Sequence, residues 1–217
     1  RDYLQPSSPV RGLLFYHGLG MGKTCASITT AELLMNNKDV IILLPASIEN
    51  NYFDDIYKCG HKEYNLTQHW TFIPITKLKS TGIYDEIKIV DLKVINKNKG
   101  LWISEGYSSN NNSNFTKLSN EEQEQIRTQT NNIIKNKYKF IHYNGLNKKV
   151  MDKLTQDNTI NPFNNKVVII DEIHNVISSV LNSMTSNNDK HIQNIYKLLI
   201  KKKNLKLMLL SGTPIIN

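Results

Sequence analysis

The sequence predicts an α/β fold: a mostly parallel sheet with helices on both faces. Three observations predict it. Short apolar runs alternate with longer amphipathic segments along the 217 residues, the pattern of successive β-α-β units. Val167–Ile170 is apolar at every position, as a strand covered on both faces is, and Val40–Leu44 is another short apolar run. A glycine-rich turn, Gly18-Leu19-Gly20-Met21-Gly22-Lys23-Thr24, joins an apolar run to a helical one, and that join is a hallmark of such units.

Taken in order, Gly12–Tyr16 reads as a buried strand, because it is a short apolar run bounded by glycines. Lys23–Met35 reads as a helix carrying Ala26, Ile28, Ala31, Leu33, Leu34 and Met35 as apolar positions. Val40–Leu44 is the next strand, Ile48–Lys58 the next helix and Trp70–Pro74 a third strand, with Tyr52, Phe53, Trp70 and Phe72 read as core. Between about Lys77 and Lys137 the pattern weakens. Ile87–Val94 alternates enough for an extra strand. Asn96–Asn120, rich in Asn, Ser and Lys, reads as a surface insertion too polar to order firmly. Glu121–Lys135, Leu146–Leu154 and His191–Lys201 read as helices, and Phe140–Tyr143, Val167–Ile170 and Leu205–Leu210 as strands, the last with Lys206 inside it. Ser183–Asp189 reads as a polar loop, and Lys201-Lys202-Lys203 as a solvated helix end.

The glycine turn has the chemistry of a phosphate cradle. Gly20 and Gly22 let the backbone turn tightly and bring N–H groups up to phosphate oxygens, and the helix N-terminus favours an anion. Lys23 would reach the β- and γ-phosphates of a nucleotide, and the Thr24 hydroxyl would ligate Mg²⁺. The strict pattern wants glycine where this chain has His17. Asp171-Glu172 follows a buried strand, at the edge where open α/β sheets bind ligands. Two adjacent acids there suit a division of labour, with Asp171 holding Mg²⁺ and Glu172 activating water. His174 is placed to link this pair by a hydrogen bond to Ser211-Gly212-Thr213-Pro214, a turn of small hydroxyl residues after the last strand.

In this order the strings GLGMGKT, DEIH and SGTPIIN resemble motifs I, II and III of superfamily 2 helicases and translocases, closest to the Snf2-like branch. RGLLFYHGLGMGKT, LLPASIENNYFDDIYKCG and LSGTPIIN are similar to helicases of large DNA viruses, including relatives of the poxvirus early-transcription ATPases. The resemblance covers most of the chain apart from the middle. It implies a RecA-like P-loop NTPase lobe that uses ATP and Mg²⁺, with Gly18, Gly20, Met21, Gly22, Lys23 and Thr24 at the nucleotide. It implies Asp171 and Glu172 in catalysis, His174, Ser211 and Thr213 in coupling, and Pro45, Ala46 and Ser47 beside the nucleic-acid backbone. The family's adenine-reading glutamine is not carried over, since Gln5 stands too close to the loop. The expected activity is nucleic-acid-stimulated ATP hydrolysis, with DNA favoured over RNA and weak or absent in an isolated lobe. The alternatives are a nucleotide-dependent switch with little turnover and a motor subunit of a restriction-type complex. The chain starts at Arg1 and stops just past the third motif, so it reads as a fragment whose second RecA-like lobe lies elsewhere. Viral RNA polymerase or transcription factors are the further partners this resemblance suggests.

Composition agrees. Lys and Arg number 27 against 19 Asp and Glu, a net charge of +8 with a pI near 9.3, which suits a polyanionic partner. Two cysteines, Cys25 and Cys59, fit a reducing intracellular compartment without a disulfide framework. For a viral protein that means the host cytoplasm, a virus factory or the virion. Cys59-Gly60-His61 lacks a second ligand pair for zinc. The sequence carries no targeting signal, and no apolar run approaches a membrane span.

Overall fold

The computed structural model describes residues 4, 8–16, 18, 20–35, 38–78, 89–104, 112–185, 190–201 and 204–213. Among them the strands are β1 (Gly12–Tyr16), β2 (Asp39–Leu44), β3 (Trp70–Pro74), β4 (Gly100–Ser104), β5 (Tyr138–His142), β6 (Lys166–Ile170) and β7 (Lys206–Ser211). The helices are α1 (Lys23–Leu34), α2 (Glu49–Cys59), α3 (Ile75–Leu78), α4 (Leu92–Asn98), α5 (Asn120–Lys137), α6 (Lys148–Thr155), α7 (Ile173–Thr185) and α8 (Lys190–Ile200). The chain divides into two compact units, Arg1–Asp55 with Tyr138–Asn217, and Ile56–Lys137.

The first unit is built on a five-stranded sheet in the order β1-β7-β6-β2-β5, every neighbouring pair parallel. Val167 to Ile170 on β6 and Val40 to Leu44 on β2 are buried throughout, because each central strand has a covered face on either side. Ile41, Leu43, Val168 and Ile170 join Val176, Val180, Ile195 and Leu199 in one core cluster, which fixes α7 and α8 against the sheet. Because all five strands run the same way, the loops after all of them open at one edge.

Several expectations need correction here. Gly12–Tyr16 is a strand, but it is the edge strand beside β7 and not a buried one: Leu14 and Tyr16 are each 53% exposed. Its apolar composition cannot distinguish an edge from a centre. Lys206 is buried within β7, where its ammonium donates to the carbonyls of Ser8 (2.8 Å) and Val10 (3.0 Å). Desolvation by burial, and then the nearby Lys38 charge, lower its pKa. α7 replaces what reads in sequence as loop up to Thr185, since Ile173, Val176, Ile177, Val180 and Leu181 repeat at helical spacing. Residues 186–189 of that expected loop and Lys202-Lys203 lie outside the described residues. Neither Cys25 nor Cys59 is a free thiol, which departs from the expectation of no disulfide framework.

The second unit contains a separate antiparallel pair, β3 with β4, in the register Trp70 opposite Ser104 and Pro74 opposite Gly100. Trp70–Pro74 is thus a strand as expected, but outside the parallel sheet. β4 lies inside the stretch Asn96–Asn120 that composition marks as unable to order firmly. Trp102 and Phe115 are buried there with Trp70, Leu66 and Ile126, so a few large apolar side chains outweigh the polar average. The polar residues join in: Asn114 accepts the Trp70 N–H (2.8 Å) and donates to the Trp70 carbonyl (2.9 Å). Gln129 on α5 does the same for Trp102, accepting its N–H at 3.0 Å and donating to its carbonyl at 2.6 Å. Residues 105–111 of that stretch lie outside the described set. Ile87–Val94 is not a strand where it is described, because Asp91 caps α4 by accepting the Lys93 N–H (2.8 Å) and the chain turns helical at Leu92. Ile87 and Lys88 lie outside the described residues. No helix among the described residues is long and apolar enough to cross a membrane.

Candidate nucleotide site

The site sits at the sheet edge formed by the C-terminal ends of the five parallel strands, as in open α/β sheets generally. After β1 the chain passes through Gly20 and Gly22, both at φ +75°, a left-handed conformation that side chains resist. A Cβ at either glycine would meet nothing within 4 Å, so the backbone angle and not crowding requires glycine there. Gly22 is the N-cap of α1 and offers no side chain, and the first turn holds no acid. A helix start without a side-chain cap or a first-turn acid suits an anion. Lys23 is 9% exposed, and its ammonium donates to the Gly18 carbonyl at 3.0 Å across the loop. Met21 is 71% exposed at the turn. Thr24 follows in the first turn, and its carbonyl accepts the Ser27 hydroxyl (2.8 Å), which also meets the buried Tyr52 hydroxyl at 3.2 Å. His17, Leu19, Gln5 and Pro214 lie outside the described residues.

Asp171 ends β6, where its N–H still donates to the Leu43 carbonyl at 2.9 Å. Its Oδ1 accepts the Glu172 N–H at 2.9 Å. Asp171 is 8% exposed, and its pKa is pushed up from 3.8 to about 6. Desolvation is the main cause; the negative charges of Glu172 and Asp55 add to it, while the Glu172 amide and Lys23 oppose it. Glu172 adopts φ +50°, which costs a non-glycine residue about 1–2 kcal/mol. Its Oε2 is buried and has no hydrogen-bond partner, although His174 Nδ1 lies 3.2 Å away. The two observations agree if the His174 proton points elsewhere, and it does. His174 Nδ1 lies 3.2 Å from the Ser211 hydroxyl, which itself donates to the Thr213 carbonyl at 2.7 Å. With its one hydrogen committed, Ser211 can only accept from His174, so Nδ1 carries the proton.

The structure thus brings together Lys23, Asp171, Glu172, His174, Ser211 and the Thr213 main chain. Pro45, Ala46 and Ser47 stand at the same edge after β2, as the start of a single 3₁₀ turn, with Ala46 and Ser47 exposed. The Ala46 N–H donates to Asn144 Oδ1 at 3.3 Å. Sequence reasoning missed Tyr143. This buried residue after β5 directs its hydroxyl at the carbonyls of Asp171 (3.3 Å) and Glu172 (3.5 Å). Burial, offset in part by a side-chain hydrogen bond from Asn175, raises its pKa to about 12, which keeps it a donor. In sequence Tyr143 stands only as the last residue of the expected strand Phe140–Tyr143. An apolar cleft of about 500 Å³ opens between α7, α8 and the β1–β7 strands, lined almost wholly by side chains such as Val176, Ile177, Leu207 and Leu209. Arg11 and Tyr196 are its polar side chains, and its lining includes none of Lys23, Asp171 and Glu172, so it is not this site.

Residues 103–216 match the family described as "Type III restriction enzyme, res subunit". The chain belongs to that family. The res-subunit match includes the Asp171-Glu172 turn and the whole of β7, and starts after the phosphate loop. Relatives span the rest. "Putative ATP-dependent RNA helicase R563" of Acanthamoeba polyphaga mimivirus is 26% identical over 217 residues, all of this chain and 29% of its own length. R350 of the same virus, named in the same words, is 26% identical over all of this chain and 20% of its own length. "Termination factor NPH-I homolog" of African swine fever virus (isolate Pig/Kenya/KEN-50/1950) is 22% identical over 94% of this chain and 20% of its own length. The chain therefore spans less than a third of the length of these relatives. It is a res-subunit lobe of the superfamily 2 helicase type, similar to ATP-dependent helicases of large DNA viruses.

Proposed function

We propose that this lobe binds and hydrolyses ATP within a nucleic-acid-dependent motor of viral transcription or DNA remodelling. The observation that carries the proposal is Glu172 Oε2, buried without a hydrogen bond 3.2 Å from His174 Nδ1, at the sheet edge that also holds Lys23 and Asp171. A carboxylate oxygen left without a donor in a structured turn is placed to accept a proton from water. In this reading Gly18, Gly20, Met21, Gly22 and Lys23 hold the phosphates, Lys23 leaving the Gly18 carbonyl for a γ-phosphate oxygen. Glu172 orients and deprotonates the attacking water. Through His174, Ser211 and Thr213 the state of that water site reaches the chain after β7.

The donor set fits Mg²⁺. Thr24 and Asp171 offer hard oxygens, and with Asp171 Oδ1 committed to the Glu172 amide, Oδ2 is the oxygen left for a cation. Bound there, the ion would neutralise charge on the phosphate oxygens; the protein's part is to present these two groups. Pro45, Ala46 and Ser47, exposed at the same edge, are assigned to the nucleic-acid backbone, and a second lobe of the complete protein to closing the site. DNA is the favoured polymer; the mimivirus relatives are named for RNA, so both belong in the test.

ATP hydrolysis by the complete gene product, alone and with duplex DNA, single-stranded DNA and RNA, tests the reading. Stimulation by one polymer, lost in Lys23→Ala and Glu172→Gln, supports the motor. Slow, unstimulated hydrolysis with ATP still bound leaves a nucleotide switch. The family's description favours one further reading, a restriction-type motor, which requires a nuclease activity in the same assembly.

A further inference from the structure

Tyr143 and Asn144 are neighbours in the turn after β5, and each holds a different part of the site edge. The Tyr143 hydroxyl lies 3.3 Å from the Asp171 carbonyl and 3.5 Å from the Glu172 carbonyl. The Asn144 side chain accepts the Ala46 N–H at 3.3 Å, in the 3₁₀ turn that starts at Ala46. Glu172 is strained at φ +50°, and the Asn175 N–H holds its carbonyl at 2.9 Å. Were Glu172 to relax to the right-handed region, α7 would begin a residue earlier and its carboxylate would swing off the water site. The left-handed and right-handed wells are the two backbone conformations near this turn, and the Tyr143 hydroxyl lies against the carbonyls of the left-handed one.

We propose that Tyr143 and Asn144 form a positioning link, which carries occupancy of the Pro45–Ser47 loop to the main chain of the Asp171–Glu172 turn. The link rests on the motor reading above. A polyanion seated on Ala46 and Ser47 moves or steadies the Ala46 amide. Asn144 follows because it is bonded to that amide, and Tyr143 follows because it is the next residue in the chain. The hydroxyl then holds Glu172 in the water-activating arrangement. Neither residue touches nucleotide in this scheme. Both act through Glu172, which gives the coupling a physical two-state element and not merely a path of contacts.

The test uses the complete gene product and steady-state ATPase rates with and without a saturating polymer. Tyr143→Phe deletes only the hydroxyl, and Asn144→Ala only the acceptor; Asn144→Asp keeps an acceptor oxygen. Each lost hydrogen bond should lower the polymer-stimulated kcat about three- to tenfold at an unchanged KM for ATP. Asn144→Asp should recover most of the stimulation that Asn144→Ala loses. Thermal unfolding is measured beside the rates. A fall in stimulated kcat with Tm within a degree or two of the parent supports the link. Stimulated kcat within twofold of the parent in both Tyr143→Phe and Asn144→Ala overturns it, as does Asn144→Asp behaving like Asn144→Ala. A parent protein that no polymer stimulates refutes the motor reading and the link together, whereas a stimulated parent with unaffected variants refutes the link alone.

Discussion

Replacing Asp171 with Asn should make the chain more stable while abolishing hydrolysis, and the size of the gain follows from burial. The residue is 8% exposed and its pKa is raised from 3.8 to about 6. About two pH units at 1.36 kcal/mol each give roughly 3 kcal/mol at pH 7.5, the cost of keeping a charge in a site that desolvates it. The sign is that of a raised carboxyl. The folded state binds the proton more tightly than the unfolded state, so the favourable contribution is complete below about pH 3.8 and is lost as pH rises through 6. Asparagine keeps an oxygen for the Glu172 N–H and carries no charge, so it escapes the loss. Urea and thermal unfolding in EDTA should show Asp171→Asn ahead by up to about 3 kcal/mol at pH 7.5, or roughly 6–12 °C for a chain of this size. The gap should close to a few tenths of a kcal/mol near pH 4. Mg²⁺ with ATP should narrow it at pH 7.5, because only the carboxylate gains a cation. An Asn variant no more stable than the parent at pH 7.5, or a gap that ignores pH, would refute the reasoning.

Other outcomes follow from the same geometry. Glu172→Gln should still bind ATP but hydrolyse it about 10²- to 10⁴-fold more slowly, as read by single-turnover rates beside calorimetric ATP titration. Lys23→Ala should instead lose ATP affinity, so the two variants separate binding from chemistry. Gly22→Ala should destabilise the chain by about 1–2 kcal/mol in urea unfolding, through its φ of +75° alone, because nothing lies within 4 Å of the added methyl. Gln129→Leu should cost about 2–4 kcal/mol, since it strands both main-chain groups of Trp102 away from water. Hydrogen exchange should show β4 losing protection in that variant.

Much of the site was legible in the sequence because its parts are local. A glycine turn between a strand and a helix needs only residues 18–24, and Asp171-Glu172 is identified by the apolar run before it. The parallel sheet was legible for the same reason, as β2 and β6 are apolar at every position that both faces bury. Legibility failed where a residue's environment comes from distant chain. Asn96–Asn120 looks too polar to fold, yet Trp102 and Phe115 find Trp70 and Ile126, and Asn114 and Gln129 satisfy strand backbones.

By itself, then, the sequence determined the type and order of many elements and which side chains have chemistry suited to a phosphate, a cation or a proton. Such properties depend on side-chain chemistry and near neighbours. Only the tertiary structure decided that β7 lies between β1 and β6, which brings Ser211 to His174 and leaves β1 at the edge. Only it set the Tyr143 hydroxyl behind Glu172, since Tyr143 and Glu172 meet through the strand order β6-β2-β5 and not through any spacing in the chain. It also decided the Asp171 pKa, because desolvation depends on everything packed around a charge.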